Sequence, residues 1–203
     1  VEVGTNGRTW TAEVGETQVV YAGEPLQPEF RYWVTVTADN GISTQGKDDV
    51  GFTVLGDDEA QEVREEIARL EGQSLTEETA FKWVNIYTQH GLYADAIKVL
   101  EGQVRSGTRT LDTCGVLGDL YRWVGLDARA VERYRTALEL TAGNRLEQAG
   151  LQVDLGDVNY ASGKLEEAVR WYEEALASYQ VLGETEQVRE LQGKIDDLKQ
   201  RLP

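Results

Sequence analysis

Cysteine, histidine, methionine and proline are scarce in this chain of 203 residues, which has one, one, none and three of them respectively. A lone Cys114 forms no internal disulfide and no thiolate metal cluster, and it leaves the redox compartment undetermined. The lone His90 sits beside Gly91, so a Ser-His-Asp or Cys-His arrangement would need Cys114 or a serine to meet it from elsewhere. No run approaches the roughly 18 apolar residues of a membrane-spanning helix, and no basic-then-apolar signal segment opens the chain. Basic residues are outnumbered, with Lys+Arg 20 against Asp+Glu 36 and a formal charge of -16. That balance excludes a nucleic-acid binder, which needs clustered Lys and Arg, and disfavours anionic membranes. No glycine-rich phosphate loop is present, so no cofactor is expected. The acidic pairs Asp48-Asp49, Asp57-Asp58 and Asp196-Asp197 lack EF-hand spacing, and adjacent residues point apart, so they read as solvated charge and no metal site is expected. The start at Val1, inside what reads as a strand, is expected of a piece of a longer chain.

What is abundant changes along the sequence. Residues 1–55 are rich in Thr, Val, Tyr and Trp, with short alternating runs broken by Gly, Asn, Asp and Pro, the pattern of antiparallel strands. Alternation predicts strands through Trp10, Ala12 and Val14; through Val19 and Tyr21; through Tyr32, Val34, Val36 and Ala38; and through Val50, Phe52 and Val54. Asn6-Gly7 and Asn40-Gly41 supply turn residues, and Pro25 and Pro28 exclude their segment from a central ladder. The segment from Leu26 through Pro28, Tyr32, Val34, Val36 and Ala38 to Asn40-Gly41 resembles the fibronectin type III motif. The resemblance implies a buried Tyr32 whose hydroxyl bonds back to the backbone. It covers only the later strands of that fold, so an antiparallel β-sandwich fragment with an exposed sheet edge is expected.

From residue 56 to 203 the composition is helical, giving an α+β multidomain chain. Ala60, Val63, Ile67 and Leu70 form one apolar stripe, Gly72 ends that helix, and Ser74-Leu75-Thr76-Glu77 reads as a capping box for the next. Gly91, Gly125 and Gly163 then align three segments. Ala96, Ala130 and Ala168 follow five residues after each glycine, and Leu100, Tyr134 and Tyr172 four later; Leu117-Gly118 and Leu155-Gly156 complete two of the copies.

These positions resemble tetratricopeptide repeats, which implies an α-α superhelical array: a first helix at 57–72, repeats at 75–107, 108–142 and 145–182, and a capping helix at 184–202. The first copy is the least regular, with Trp83-Val84 in place of Leu-Gly and Gln103 in place of alanine. Four extra residues before the third glycine amount to about one helical turn, expected around Leu140 to Leu146. Val188, Leu191, Ile195, Leu198 and Leu202 suit a final helix that covers the last apolar face, or alternatively a short coiled coil.

The resemblance implies a non-enzymatic scaffold that binds a protein or peptide partner along a groove lined by the first helix of each repeat. The family's groove positions fall on Phe81, Asn85, Thr88 and Gln89; on Asp119, Arg122 and Trp123; and on Val153, Asp157 and Tyr160. Asn85, Gln89, Asp119, Arg122, Trp123, Asp157 and Tyr160 are therefore the candidate contacts, with the aromatics as anchors. The family's clamp for a C-terminal carboxylate is not expected, because Phe81 stands at its lysine position and Asp154 at a basic one. The sheet edge and the C-terminal helix offer routes to a homo-oligomer. The alternative function is a regulatory or assembly segment of a larger enzyme or envelope protein, its β-domain attached to carbohydrate or wall. Fibronectin-like association leans toward a periplasmic or extracellular location.

Overall fold

The computed structural model describes residues 1–5, 8–15, 19–41, 43–44, 51–72, 74 and 76–202. The Asn6-Gly7 turn, Asp48-Asp49, Val50 and Leu75 fall outside them. The chain divides into two units, Val1–Arg69 and Leu70–Pro203. The first helix thus goes with the sheet, one element later than the change in composition at residue 56 suggests.

The first unit holds β1 (Glu2–Thr5), β2 (Arg8–Thr11), β3 (Arg31–Thr35), β4 (Gly51–Thr53) and α1 (Asp57–Leu70). Among the described residues the strands form one antiparallel sheet in the order β2-β1-β3-β4. Pairing sets Val3 opposite both Trp10 and Val34, and Tyr32 opposite Phe52, so the apolar residues gather on one face. On the other face Gly4 lies opposite Trp33, whose indole would be 2.2 Å from any Cβ there. Glycine is the residue that permits this approach. Tyr32 is buried, stacks on Phe52 at 5.4 Å and accepts a 2.8 Å hydrogen bond from the Gln27 amide, as the motif implies. At Asn40-Gly41 the chain turns, with Gly41 at φ 82°, its N–H donating to Ala38, and Thr44 pairing back to Val36.

The expected strand through Val19 and Tyr21 does not form. Tyr21 instead lies edge-on against Trp10 at 5.0 Å and donates its hydroxyl to the Glu24 carbonyl, in a segment that ends at Pro25. One aromatic contact with the sheet replaces a ladder of backbone bonds.

The second unit is helical: α2 (Glu77–Gln89), α3 (Tyr93–Arg105), α4 (Leu111–Trp123), α5 (Asp127–Leu140), α6 (Arg145–Ala161), α7 (Leu165–Leu182) and α8 (Thr185–Arg201). Each helix packs on the next in sequence. Side chains also link alternate helices: Glu77 of α2 accepts from Thr110 and Thr113 at the start of α4, Arg122 of α4 meets Asp157 of α6, and Lys194 of α8 meets the same Asp157. Helices α2, α4, α6 and α8 thus form one row, and α3, α5 and α7 the other.

Thr76, Thr110 and Asn144 cap the N-termini of α2, α4 and α6 with their side-chain oxygens, at 34-residue steps along the sequence. The cap of α2 is therefore Thr76, bonding the Thr79 amide, two residues later than the expected Ser74. Turns inside each pair share one geometry. Gly91, Gly125 and Gly163 have φ of 68°, 74° and 73°, and the amide after each donates to the carbonyl five residues earlier: Leu92 to Tyr87, Leu126 to Tyr121, Lys164 to Asn159. Left-handed glycines closing such bonds let the chain reverse without leaving helix carbonyls unpaired. The inserted turn lies in α6, which has 17 residues against 13 in α2 and α4, after a break at residues 141–144.

The core explains the recurring small residues. Ala96, Ala130 and Ala168 are fully buried at the helix crossings. The rings of Tyr134 and Tyr172 lie on Gly118 and Gly156, where a Cβ would come within 2.6 Å and 2.3 Å of them. In the first pair Val84 and Leu100 take those two places. Leu191, Ile195 and Leu198 of α8 are buried in the cluster that holds Tyr172 and Tyr179 of α7, so its stripe serves as a cap.

Candidate functional site

The two tyrosines that fill the space over the glycines also reach the row of first helices. Tyr134 donates its hydroxyl to Asp119 at 2.6 Å, and Tyr172 to Asp157 at 2.6 Å. The carboxylate in each case follows the glycine directly, Gly118-Asp119 and Gly156-Asp157. In the first pair Asn85 stands at that place, and Leu100 offers no hydroxyl. Burial, then the bond to the carboxylate, pushes both tyrosine pKa values up.

Between α4 and α6 the charges converge. Arg122 lies 3.3 Å from Asp157, with each side chain 31% exposed, and its Nε is buried without a partner. Burial alone would lower the guanidinium pKa; the Tyr134 hydroxyl and the charges of Asp154, Asp157 and Asp119 outweigh it and hold it above the ordinary value. Asp154, one turn before Asp157, is pushed up to about 6, chiefly by burial and then by the Asp119 charge, with Arg122 opposing. Lys194 of α8 sits 3.5 Å from Asp157 and 5.5 Å over the Tyr172 ring. Arg201 donates to the Tyr160 hydroxyl at 2.9 Å and lies 5.4 Å over that ring. Tyr160, Asp157, Tyr172, Lys194, Asp197 and Leu198 line a cavity of about 240 Å³.

Of the expected contacts, Arg122 and Asp157 form an ion pair, Asp119 acts on Arg122 through its charge, and Tyr160 lines the same cavity as Asp157. Trp123 stands apart at the end of α4, 61% exposed, with its ring edge-on to Tyr93 at 5.4 Å. Asn85 and Gln89 are exposed on α2. Phe81 and Val153 are partly buried against the core clusters, and Thr88 turns its hydroxyl back to the Val84 carbonyl, so these three serve packing and helix. Sequence reasoning did not single out Tyr134, Tyr172, Lys194 or Arg201 as neighbours of the site. The signal for the tyrosines was the recurrence of Leu-Gly-Asp with Tyr sixteen residues after the glycine; nothing in α8 beyond its apolar stripe marked the two basic residues. Cys114 is fully buried among core residues, and burial raises its thiol pKa, the opposite of what a nucleophile requires.

Residues 108–180, covering most of α4 through α7, match the family model of the tetratricopeptide repeat. This segment is made of tetratricopeptide repeats. The match leaves out α2 and α3, the pair in which Val84 and Gln103 depart from the repeat pattern. Among solved structures, BtubC (BKLC) from P. vanneervenii aligns at 19% identity over 70% of this chain and 60% of its own, with a TM-score of 0.50. A MamA protein aligns at 23% identity over 70% and 78%, TM-score 0.49. YrrB, described as a TPR protein with an unusual peptide-binding site, aligns at 18% over 70% and 78%, TM-score 0.46. The likeness to BtubC is one of fold. No curated protein matches the chain.

Proposed function

We propose that the second unit is a non-catalytic scaffold that binds a protein or peptide partner on the face of α2, α4 and α6. The observation that carries this reading is a division of labour among side chains. Positions that recur between the repeats, the alanines, the glycines and the tyrosines over them, are consumed in stacking. Positions that differ between them, Asn85 and Gln89, Trp123, and Tyr160 at 43% exposure, remain at the surface. Large aromatics held at the surface by a rigid array suit the anchors of an interface. We further read the first unit as a fibronectin type III-like fragment, a reading supported by the bond from the Gln27 amide to Tyr32.

The test is capture from lysate of the source cell with the parent, with a face variant (Asn85→Arg, Gln89→Glu, Trp123→Ala) and with Arg135→Glu on α5. The face variant is expected to lose a set of partners that the α5 variant keeps. Recovery of the same partners by all three would refute the face as the site.

A further inference from the structure

We propose that the first unit binds a neutral sugar: one pyranose ring of an oligosaccharide lies in a cleft over the apolar face of the sheet, its C–H face on the aromatic rings and its hydroxyls on Arg8 and Glu24. The site lies wholly within residues 3–32 and is independent of the helical face proposed above.

The sheet sets Val3, Trp10 and Tyr32 on one face. Three contacts hold the segment from Tyr21 to Gln27 against it: Tyr21 edge-on to Trp10, the Gln27 amide on the Tyr32 hydroxyl, and an ion pair between Arg8 and Glu24. Between segment and sheet the chain leaves a cavity of about 760 Å³, lined by these residues and Phe30. Its size and its aromatic lining with few polar groups are those of a small-molecule site. Val3 and Tyr32 are buried, whereas Trp10 and Tyr21 are half-buried and Phe30 is 50% exposed, so ring surface remains open to a ligand.

The lining selects the class of ligand. Arg8 and Glu24 are its charged residues, and they neutralise each other, so a charged ligand meets no net attraction. Proline lacks an N–H, so a proline-rich peptide brings acceptors and needs donors. Tyr21 has already spent its proton on the Glu24 carbonyl, and the buried Tyr32 hydroxyl holds the Gln27 amide. What remains is ring surface beside a donor–acceptor pair, and a pyranose matches both. Its axial C–H groups make one face apolar and polarised towards the negative face of an aromatic ring, and its hydroxyls, which donate and accept, pair with a guanidinium and a carboxylate side by side. The bonds that fix the two tyrosines hold the cleft in one shape before a ligand arrives, which lowers the cost of binding.

Calorimetry on the full chain with cellohexaose, chitohexaose and a decaproline peptide tests this. At least one of the oligosaccharides is expected to bind, with an affinity that changes by less than about twofold between about 0.05 and about 0.5 M salt, as a neutral ligand requires. Trp10→Ala should weaken it about tenfold and Glu24→Ala about fivefold, through loss of a ring surface and of a charged acceptor. Glu139→Ala, which removes an exposed carboxylate of α5, should stay within about twofold. Trp10 also packs on Tyr21, so Phe30→Ala, at a half-exposed site, is the second ring variant and should weaken binding about fivefold even if circular dichroism shows that Trp10→Ala loses the sheet. Absence of binding by both oligosaccharides overturns the inference, as does binding that Phe30→Ala and Glu24→Ala leave unaltered. Binding of the decaproline peptide alone, weakened by Phe30→Ala, would assign the cleft to a proline-rich segment and overturn it too.

Discussion

Replacing Asp154 by asparagine is expected to stabilise the protein at neutral pH. The carboxyl pKa in the folded state is raised from 3.8 to about 6 by burial first and by Asp119 second. A raised carboxyl pKa means that the folded state holds the proton more tightly than the unfolded chain. The associated stability is fully present below about pH 4, is lost as pH rises, and is gone above about pH 6. A shift of about two pKa units corresponds to about 3 kcal/mol, and partial exposure of the site reduces this to about 1–2 kcal/mol. Asparagine keeps the shape and carries no charge, so the variant should exceed the parent by that amount at about pH 7.5 and match it near pH 4. Urea denaturation of both proteins at the two pH values reads the difference directly, and its slope with pH cancels the contributions of the other carboxylates. A difference independent of pH, or a variant less stable than the parent at pH 7.5, would refute the argument.

Gly156→Ala sets two effects against each other. Alanine favours a helix by about 1 kcal/mol over glycine, yet its Cβ would lie 2.3 Å from the Tyr172 ring, and overpacking costs about 1–3 kcal/mol. Net destabilisation is expected by thermal unfolding, with Gly150→Ala, which has open space at its Cβ, neutral or stabilising. In the first unit, Tyr32→Phe removes the acceptor of the Gln27 amide and should cost about 1 kcal/mol. Faster hydrogen exchange at Gln27 would report it, and unchanged protection there would show that the bond contributes nothing.

Much of the array was legible because its determinants are local and repeated. A left-handed turn needs glycine, and a close helix crossing needs alanine, wherever either occurs, so Gly91, Gly125 and Gly163 with Ala96, Ala130 and Ala168 marked the pairs by their spacing. The Tyr32 motif was legible for a similar reason, since its partner lies only five residues away. The strand through Val19 and Tyr21 was misread because alternation describes a side-chain pattern, whereas a strand needs a neighbour to take its backbone bonds. Asp119 and Asp157 could be placed on one row of helices, but their tyrosine partners sit fifteen residues on, in the following helix.

The sequence by itself determined the change from strands to helices near residue 56, the helix pairs, their turns and the excess of acid, because each depends on residue type and short-range spacing. Only the tertiary structure decided which charges meet. Arg122 finds Asp157 from 35 residues away, and Arg201 finds Tyr160 from 41, through the stacking of helices that no local pattern encodes. The same stacking leaves Asp154 half-buried beside Asp119 and Arg122, and desolvation at such a position is a property of the assembled array rather than of any segment of it.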